Sequence, residues 1–91
     1  MKDVQQDLIR FRDARGWQPH HTPQNLAMAL SVEAAELLEL FQWGATPPTN
    51  RVREEVADVM IYALNLANVY GFDALDAIRD KMASNAEKYP A

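Results

Sequence analysis

Residues 31–62 read SVEAAELLELFQWGATPPTNRVREEVADVMIY. Two acidic pairs, Glu33 with Glu36 and Glu55 with Asp58, flank a break at Gly44-Ala45-Thr46-Pro47-Pro48-Thr49. Each pair is spaced i, i+3, so both carboxylates of a pair leave a helix on the same face. The Gly and Pro residues end the helical pattern and leave room only for a tight reversal. A connection that short makes the flanking helices antiparallel neighbours. In such a hairpin, positions whose numbers add to the same total stand at the same height. Glu33 is then level with Asp58, and Glu36 with Glu55. If the two faces meet, four carboxylates converge.

Four converging carboxylates need a physical reason. Unpaired acids in a low-dielectric cleft repel one another and lose hydration, which penalises the folded chain. A hard divalent cation removes that penalty, because Mg²⁺ and Mn²⁺ prefer oxygen ligands. One such pair alone is most simply a solvated helix face, since Glu is a good helix former. Two pairs in matched register across a short turn shift the balance toward a metal site.

Moving outward, the chain has 91 residues, enough for a single domain over residues 1–91. A formal net charge of −4 argues against a partner such as a nucleic acid polymer, because no basic excess is present to pair with a phosphate backbone. There are no cysteines, which excludes disulfides, zinc thiolate sites and thiol catalysis. The amino terminus, MKDVQQDLIRF, carries charges where a signal peptide needs an apolar run. No stretch approaches the ~20 apolar residues of a membrane span. The expectation is a soluble, cytoplasmic protein with no membrane partner.

The coarse pattern is all-α: four helices around a central antiparallel hairpin. The first runs from Asp3 to about Arg15, with Val4, Leu8, Ile9 and Phe11 on one side and Gly16 after it. The second opens at Thr22-Pro23, a hydroxyl N-cap followed by Pro at the first helical position, and extends to about Trp43. The third spans about Asn50 to Tyr70, with Gly71 as its stop. Asp73 caps a fourth that reaches about Lys88, before Pro90. Helices two and three carry apolar residues in several directions, so they are buried on several sides. In a chain this small the second covering is another subunit, in a homodimer or a homotetramer.

Helical spacing extends the acidic face. Tyr62 lies four residues after Asp58, with Asn65 following, and Trp43 lies seven after Glu36. An aromatic near each end of the row suits a flat ring such as a nucleobase, although either aromatic could equally pack in a core or subunit contact. Glu39 falls toward the edge of the face, as an outer ligand or an exposed residue. Lys81, Asn85 and Lys88 share a stripe on the fourth helix. Two cations and an amide suit phosphate oxygens, and a solvated lysine stripe is the plain alternative. His20 and His21 lie in the loop before the second helix, so neither completes a Glu-x-x-His ligand set of the di-iron type.

The segments RGWQPHHTPQNLAMALSVEAAELLELFQW, EEVADVMIY and KMASNAEKYP resemble the MazG-like nucleotide pyrophosphohydrolases, particularly the branch containing the dCTP pyrophosphatases. The likeness runs from about Leu8 to Pro90. It implies an all-α fold with a dimeric or tetrameric helical core. It also implies Mg²⁺-dependent cleavage of a nucleoside triphosphate to the monophosphate and pyrophosphate, with Mn²⁺ as a substitute metal. Carried over by residue, Glu33, Glu36, Glu55 and Asp58 would be metal ligands and catalytic acids. Trp17, His21, Trp43 and Tyr62 would frame base and sugar. Lys81, Asn85, Lys88 and Tyr89 would contact phosphate, reaching into a neighbouring subunit's site. Water would attack the α phosphorus, with Glu36 accepting its proton. The substrate expected is dCTP or a modified pyrimidine relative, in a house-cleaning role. Two alternatives stay open: a non-catalytic helical dimerisation module, and a hydrolase of the same fold acting on dUTP or phosphoribosyl-ATP.

Overall fold

The computed structural model describes residues 2–91, and among them every regular element is helical. The helices are α1 (Lys2–Ala14), α2 (Pro23–Glu39), α3 (Thr49–Tyr70) and α4 (Ala74–Lys88). Single 3₁₀ turns occupy Gln18–His20 and Gln42–Gly44. The expected four-helix, all-α architecture is present, with α2 and α3 packed as the central hairpin and α1 laid against α3.

Local chemistry explains most of the boundaries. Gly16 takes φ 67° after α1, and Trp17 N–H donates to Arg12 O at 3.1 Å while Gly16 N–H donates to Asp13 O at 3.1 Å. The same pairing closes α3, where Gly71 has φ 75° and Phe72 N–H donates to Ala67 O. These are glycine-terminated helix ends, in which a left-handed residue lets two amides satisfy the last carbonyls. Thr22 Oγ1 accepts from Asn25 N–H at 3.2 Å at the start of α2, and Asp73 Oδ1 accepts from Asp76 N–H at 3.0 Å at the start of α4.

One boundary differs from the sequence reading. α2 stops at Glu39 rather than continuing to Trp43. Leu40 and Phe41 donate to carbonyls three residues back, a tightening that ends the α pattern. Trp43 then adopts φ 63° and Gly44 φ 72°. Two consecutive left-handed residues swing the chain off the helix axis before Pro47 and Pro48, which cannot continue a helix interior. Trp43 therefore does not continue the α2 face.

A polar clasp holds α1 to the α3–α4 corner. Gln5 is almost fully buried. Its Nε2 donates to Asn68 Oδ1 and to Phe72 O, each at 3.0 Å, and its Oε1 accepts from Ala74 N–H at 2.8 Å. Asn68 Nδ2 returns a bond to Gln5 O at 3.1 Å. Both polar atoms of the buried Gln5 amide are thereby satisfied, which is what makes burying it tolerable.

The apolar core is small, comprising Leu26, Leu64 and Ala67. Met28, Val32, Leu38, Met60, Ile78 and Met82 are all exposed. The accessible surface is 6948 Å² for 10.3 kDa. A compact monomer of that mass exposes roughly 5,400 Å². The radius of gyration is 15.4 Å, against about 12 Å for a compact chain of this length. α4 is exposed at every residue from Asp76 onward.

Candidate metal centre and adjoining cavity

The packing of α2 against α3 brings Glu33, Glu55 and Asp58 together, with one carboxylate oxygen from each lying within 4.8 Å of the others. Glu33 and Glu55 are half-buried, and Asp58 is open to solvent. Oε2 of Glu33 and Oε2 of Glu55 are buried without a hydrogen-bond partner among the described residues. An orphaned ionised oxygen is costly, and two facing each other are costlier. Desolvation raises the pKa of Glu33 first. A hydrogen bond with Glu36 that favours the protonated acid, and the like charges of Glu36, Asp58 and Glu55, add to the rise.

Three hard oxygen donors, two of them unsatisfied, fit a divalent cation with oxygen preference and fit no soft-ligand metal. The cluster is thus an acidic triad able to hold a metal ion. Glu36 stands outside it, exposed, one turn beyond Glu33 and close enough to act on its protonation. Glu39 is exposed as well.

A cavity of about 360 Å³ opens beside the triad. Glu33 and Asp58 lie at its acidic part, and Leu8, Phe11, Trp17, His21, Ile61, Tyr62 and Asn65 complete the lining. Phe11 and Trp17 meet edge to face, with centroids 5.7 Å apart and planes at 68°. The Arg15 guanidinium sits 3.4 Å from the centre of the Phe11 ring and 5.8 Å from that of Trp17, a cation–π contact with both members of the pair. Burial, then the charges of Arg12 and His20, lower the pKa of His21. His21 is therefore neutral at pH 7 and offers one donor and one acceptor. Trp17, His21 and Tyr62 also line a second cavity, of about 350 Å³, on the side of Asn25 and Ala29.

Of the residues expected around a base, Trp17, His21 and Tyr62 line the cavity and Trp43 does not. Trp43 is 99% exposed. Lys81, Asn85, Lys88 and Tyr89 are exposed on α4 and its end, away from the cavity lining, with Lys88 Nζ 5.4 Å from the Tyr89 ring. Leu8, Phe11 and Ile61 were not expected there. Ile61 was within reach of the i+3 rule from Asp58. Leu8 and Phe11 read as ordinary apolar positions of α1, and nothing local marks them as cavity wall.

The profile of the MazG-like family matches residues 28–91, which carry all four acids and α4. The chain belongs to the MazG-like family. Its upstream segment, with Phe11, Trp17 and His21, is covered by whole-chain relatives. It is 37% identical to dCTP pyrophosphatase 1 of Mus musculus over 100 residues, covering 99% of this chain and 59% of that protein. The Homo sapiens dCTP pyrophosphatase 1 is 36% identical over 101 residues, covering 100% of this chain and 59% of that protein. The chain thus spans 59% of the length of these relatives. The crystal structure of a pyrophosphatase from Archaeoglobus fulgidus superposes with a TM-score of 0.85 at 42% identity, over 100% of this chain and 93% of the other. Among the described residues no helix is long and apolar enough to cross a membrane.

Proposed function

We propose that this chain hydrolyses deoxynucleoside triphosphates to the monophosphate and pyrophosphate, with dCTP-like pyrimidine nucleotides as substrates and Mg²⁺ held by Glu33, Glu55 and Asp58. The observation that carries this reading is the pair of unpartnered oxygens in the acidic triad, two members of which, Glu33 and Asp58, line an aromatic-walled cavity. The dCTP pyrophosphatases of mouse and human support the substrate class. A helical dimerisation module would have no use for two buried orphan carboxylates.

When bound, Mg²⁺ supplies charge neutralisation on the phosphates and a more acidic water, and Mn²⁺ can supply the same. Glu33, Glu55 and Asp58 would hold the ion, which would satisfy their unpartnered oxygens. Glu36, exposed beside Glu33 and outside the triad, accepts the proton of the water attacking the α phosphorus. Phe11, Trp17 and Tyr62 exclude water and stack on the base. Neutral His21 contributes a hydrogen bond without adding charge.

A second copy of the chain completes the site. The surface excess described above is of the size that a stable interface covers. Trp43 is an exposed aromatic held at positive φ, a conformation that costs energy for a non-glycine residue and recurs at functional sites. Trp43 and the α4 stripe of Lys81, Asn85 and Lys88, with Tyr89, serve the partner's nucleotide in a homodimer or homotetramer.

The test is pyrophosphate release from a panel of nucleoside triphosphates with Mg²⁺. The expected result is release from dCTP above dTTP, dATP and phosphoribosyl-ATP, abolished by chelation. Absence of pyrophosphate from every nucleotide, in a protein shown to bind Mg²⁺, overturns the reading.

A further inference from the structure

Asn65 is more than nine-tenths buried, yet its carboxamide makes no hydrogen bond among the described residues. It lines the cavity beside the triad, and neither polar atom is among those sealed without a partner, so the amide is open to that space. The other buried amide, Gln5, spends its donor and acceptor on Asn68, Phe72 and Ala74. Most buried side-chain polar atoms have a partner in protein or ordered water, so a carboxamide that the protein leaves unsatisfied and open to a cavity is available to a ligand.

Position says which part of the ligand. Asn65 lies seven residues after Asp58 on α3, about 10 Å along the helix. That is the order of the distance from a nucleotide's α phosphate to the far edge of its base. Tyr62 lies between the two residues, and Phe11 and Trp17 face the same space. With the phosphates at the triad, the ring sits among the aromatics and its hydrogen-bonding edge meets Asn65.

We infer that Asn65 is the specificity-determining residue that reads the base: its Nδ2–H donates to a ring acceptor and its Oδ1 accepts from an exocyclic amine, as on the N3/N4 edge of cytosine. This rests on the nucleotide reading above and deepens it. A carboxamide offers a donor beside an acceptor, which matches that edge in a bidentate pair. Its two-fold torsion also lets it turn over to meet the reversed pattern of uracil or thymine. Asn65 thus selects a pyrimidine edge and leaves discrimination between pyrimidines modest.

Wild type, Asn65→Ala and Asn65→Asp are compared for kcat and KM on dCTP, dTTP and dATP with Mg²⁺, and for affinity toward inorganic tripolyphosphate, a base-free probe of the metal end. Asn65→Ala is expected to lose roughly 10- to 100-fold in kcat/KM on dCTP, mostly through KM, with tripolyphosphate affinity unchanged. Asn65→Asp keeps one accepting contact to either pyrimidine, from the cytosine amine or the thymine N3–H, and sets its other oxygen against cytosine N3 or thymine O4, so kcat/KM falls on dCTP and dTTP alike. Unchanged KM and unchanged base ratios in active variants overturn the inference. So does an equal loss of dCTP and tripolyphosphate binding, which marks Asn65 as structural support. If wild type binds tripolyphosphate with Mg²⁺ but cleaves no nucleotide, the functional reading fails and this inference fails with it. Activity with an indifferent Asn65 defeats the inference alone.

Discussion

Glu33, Glu55 and Asp58 are gathered by the packing of α2 on α3, whereas Lys81, Asn85 and Lys88 project from a helix that touches little of its own chain. The first group sits where the protein is densest and carries unsatisfied oxygens. The second is fully exposed and lies away from the cavity. The difference separates what one chain assembles from what it only offers. An acidic triad and an aromatic cavity form within the chain. The cations suited to phosphate, and Trp43 at positive φ, are exposed, and it is the proposed second copy that would give them a role.

The sharpest way to break that division is at the triad. Asp58→Asn is expected to lower kcat/KM on the order of a thousandfold and to abolish stabilisation by Mg²⁺. Glu36→Gln should lose activity comparably while the melting temperature still rises with Mg²⁺, because Glu36 lies outside the cluster. If both variants lose the Mg²⁺ response, Glu36 is a ligand and the proton acceptor lies elsewhere.

Complementation tests the outward half. Asp58→Asn and Lys88→Ala, each nearly inactive alone, are unfolded together and refolded as a mixture. If α4 serves the partner's site, mixed dimers contain one intact site and activity recovers to about a quarter of wild type. No recovery assigns α4 to its own chain's chemistry or to none.

Mg²⁺ alone should stabilise the folded protein by ~2.7 kcal/mol once it exceeds its dissociation constant a hundredfold, read as a rise in melting temperature. An unchanged melting temperature at millimolar Mg²⁺ removes the metal centre.

The smallest effect concerns protons. Glu33 has a raised pKa in the fold, so its protonated form is favoured there and ionisation costs stability. That cost is absent below the ordinary Glu range, about 4.3, and is complete above the raised value. In metal-free protein at pH 7, Glu33→Gln is therefore expected to melt higher than wild type. The gap should close on acidification below the ordinary Glu range. Adding Mg²⁺ at pH 7 should reverse the order.

The sequence reading carried a good deal of this. Thr22, Asp73 and Gly71 mark helix ends through chemistry that acts within a few residues, and the structure uses each as expected. The i, i+4 spacing from Asp58 correctly places Tyr62 toward the acids. The end of α2 was less legible. Nothing between Leu40 and Trp43 breaks a helix by composition, and only the need to reach Pro47 and Pro48 turns the chain early. The matched rungs were legible in part. Glu33 does meet Asp58, but Glu55 joins them while Glu36 stays outside.

Read alone, the chain determined four helices, a central hairpin and two acid rows in register, because caps, breakers and helical spacing are local properties. Tertiary structure decided which acids share a cluster, that Leu8 and Phe11 of α1 wall the cavity, and that the Asn65 amide is buried but left open there. Those outcomes depend on how helices distant in sequence lean on one another, and no spacing rule within one helix carries that information.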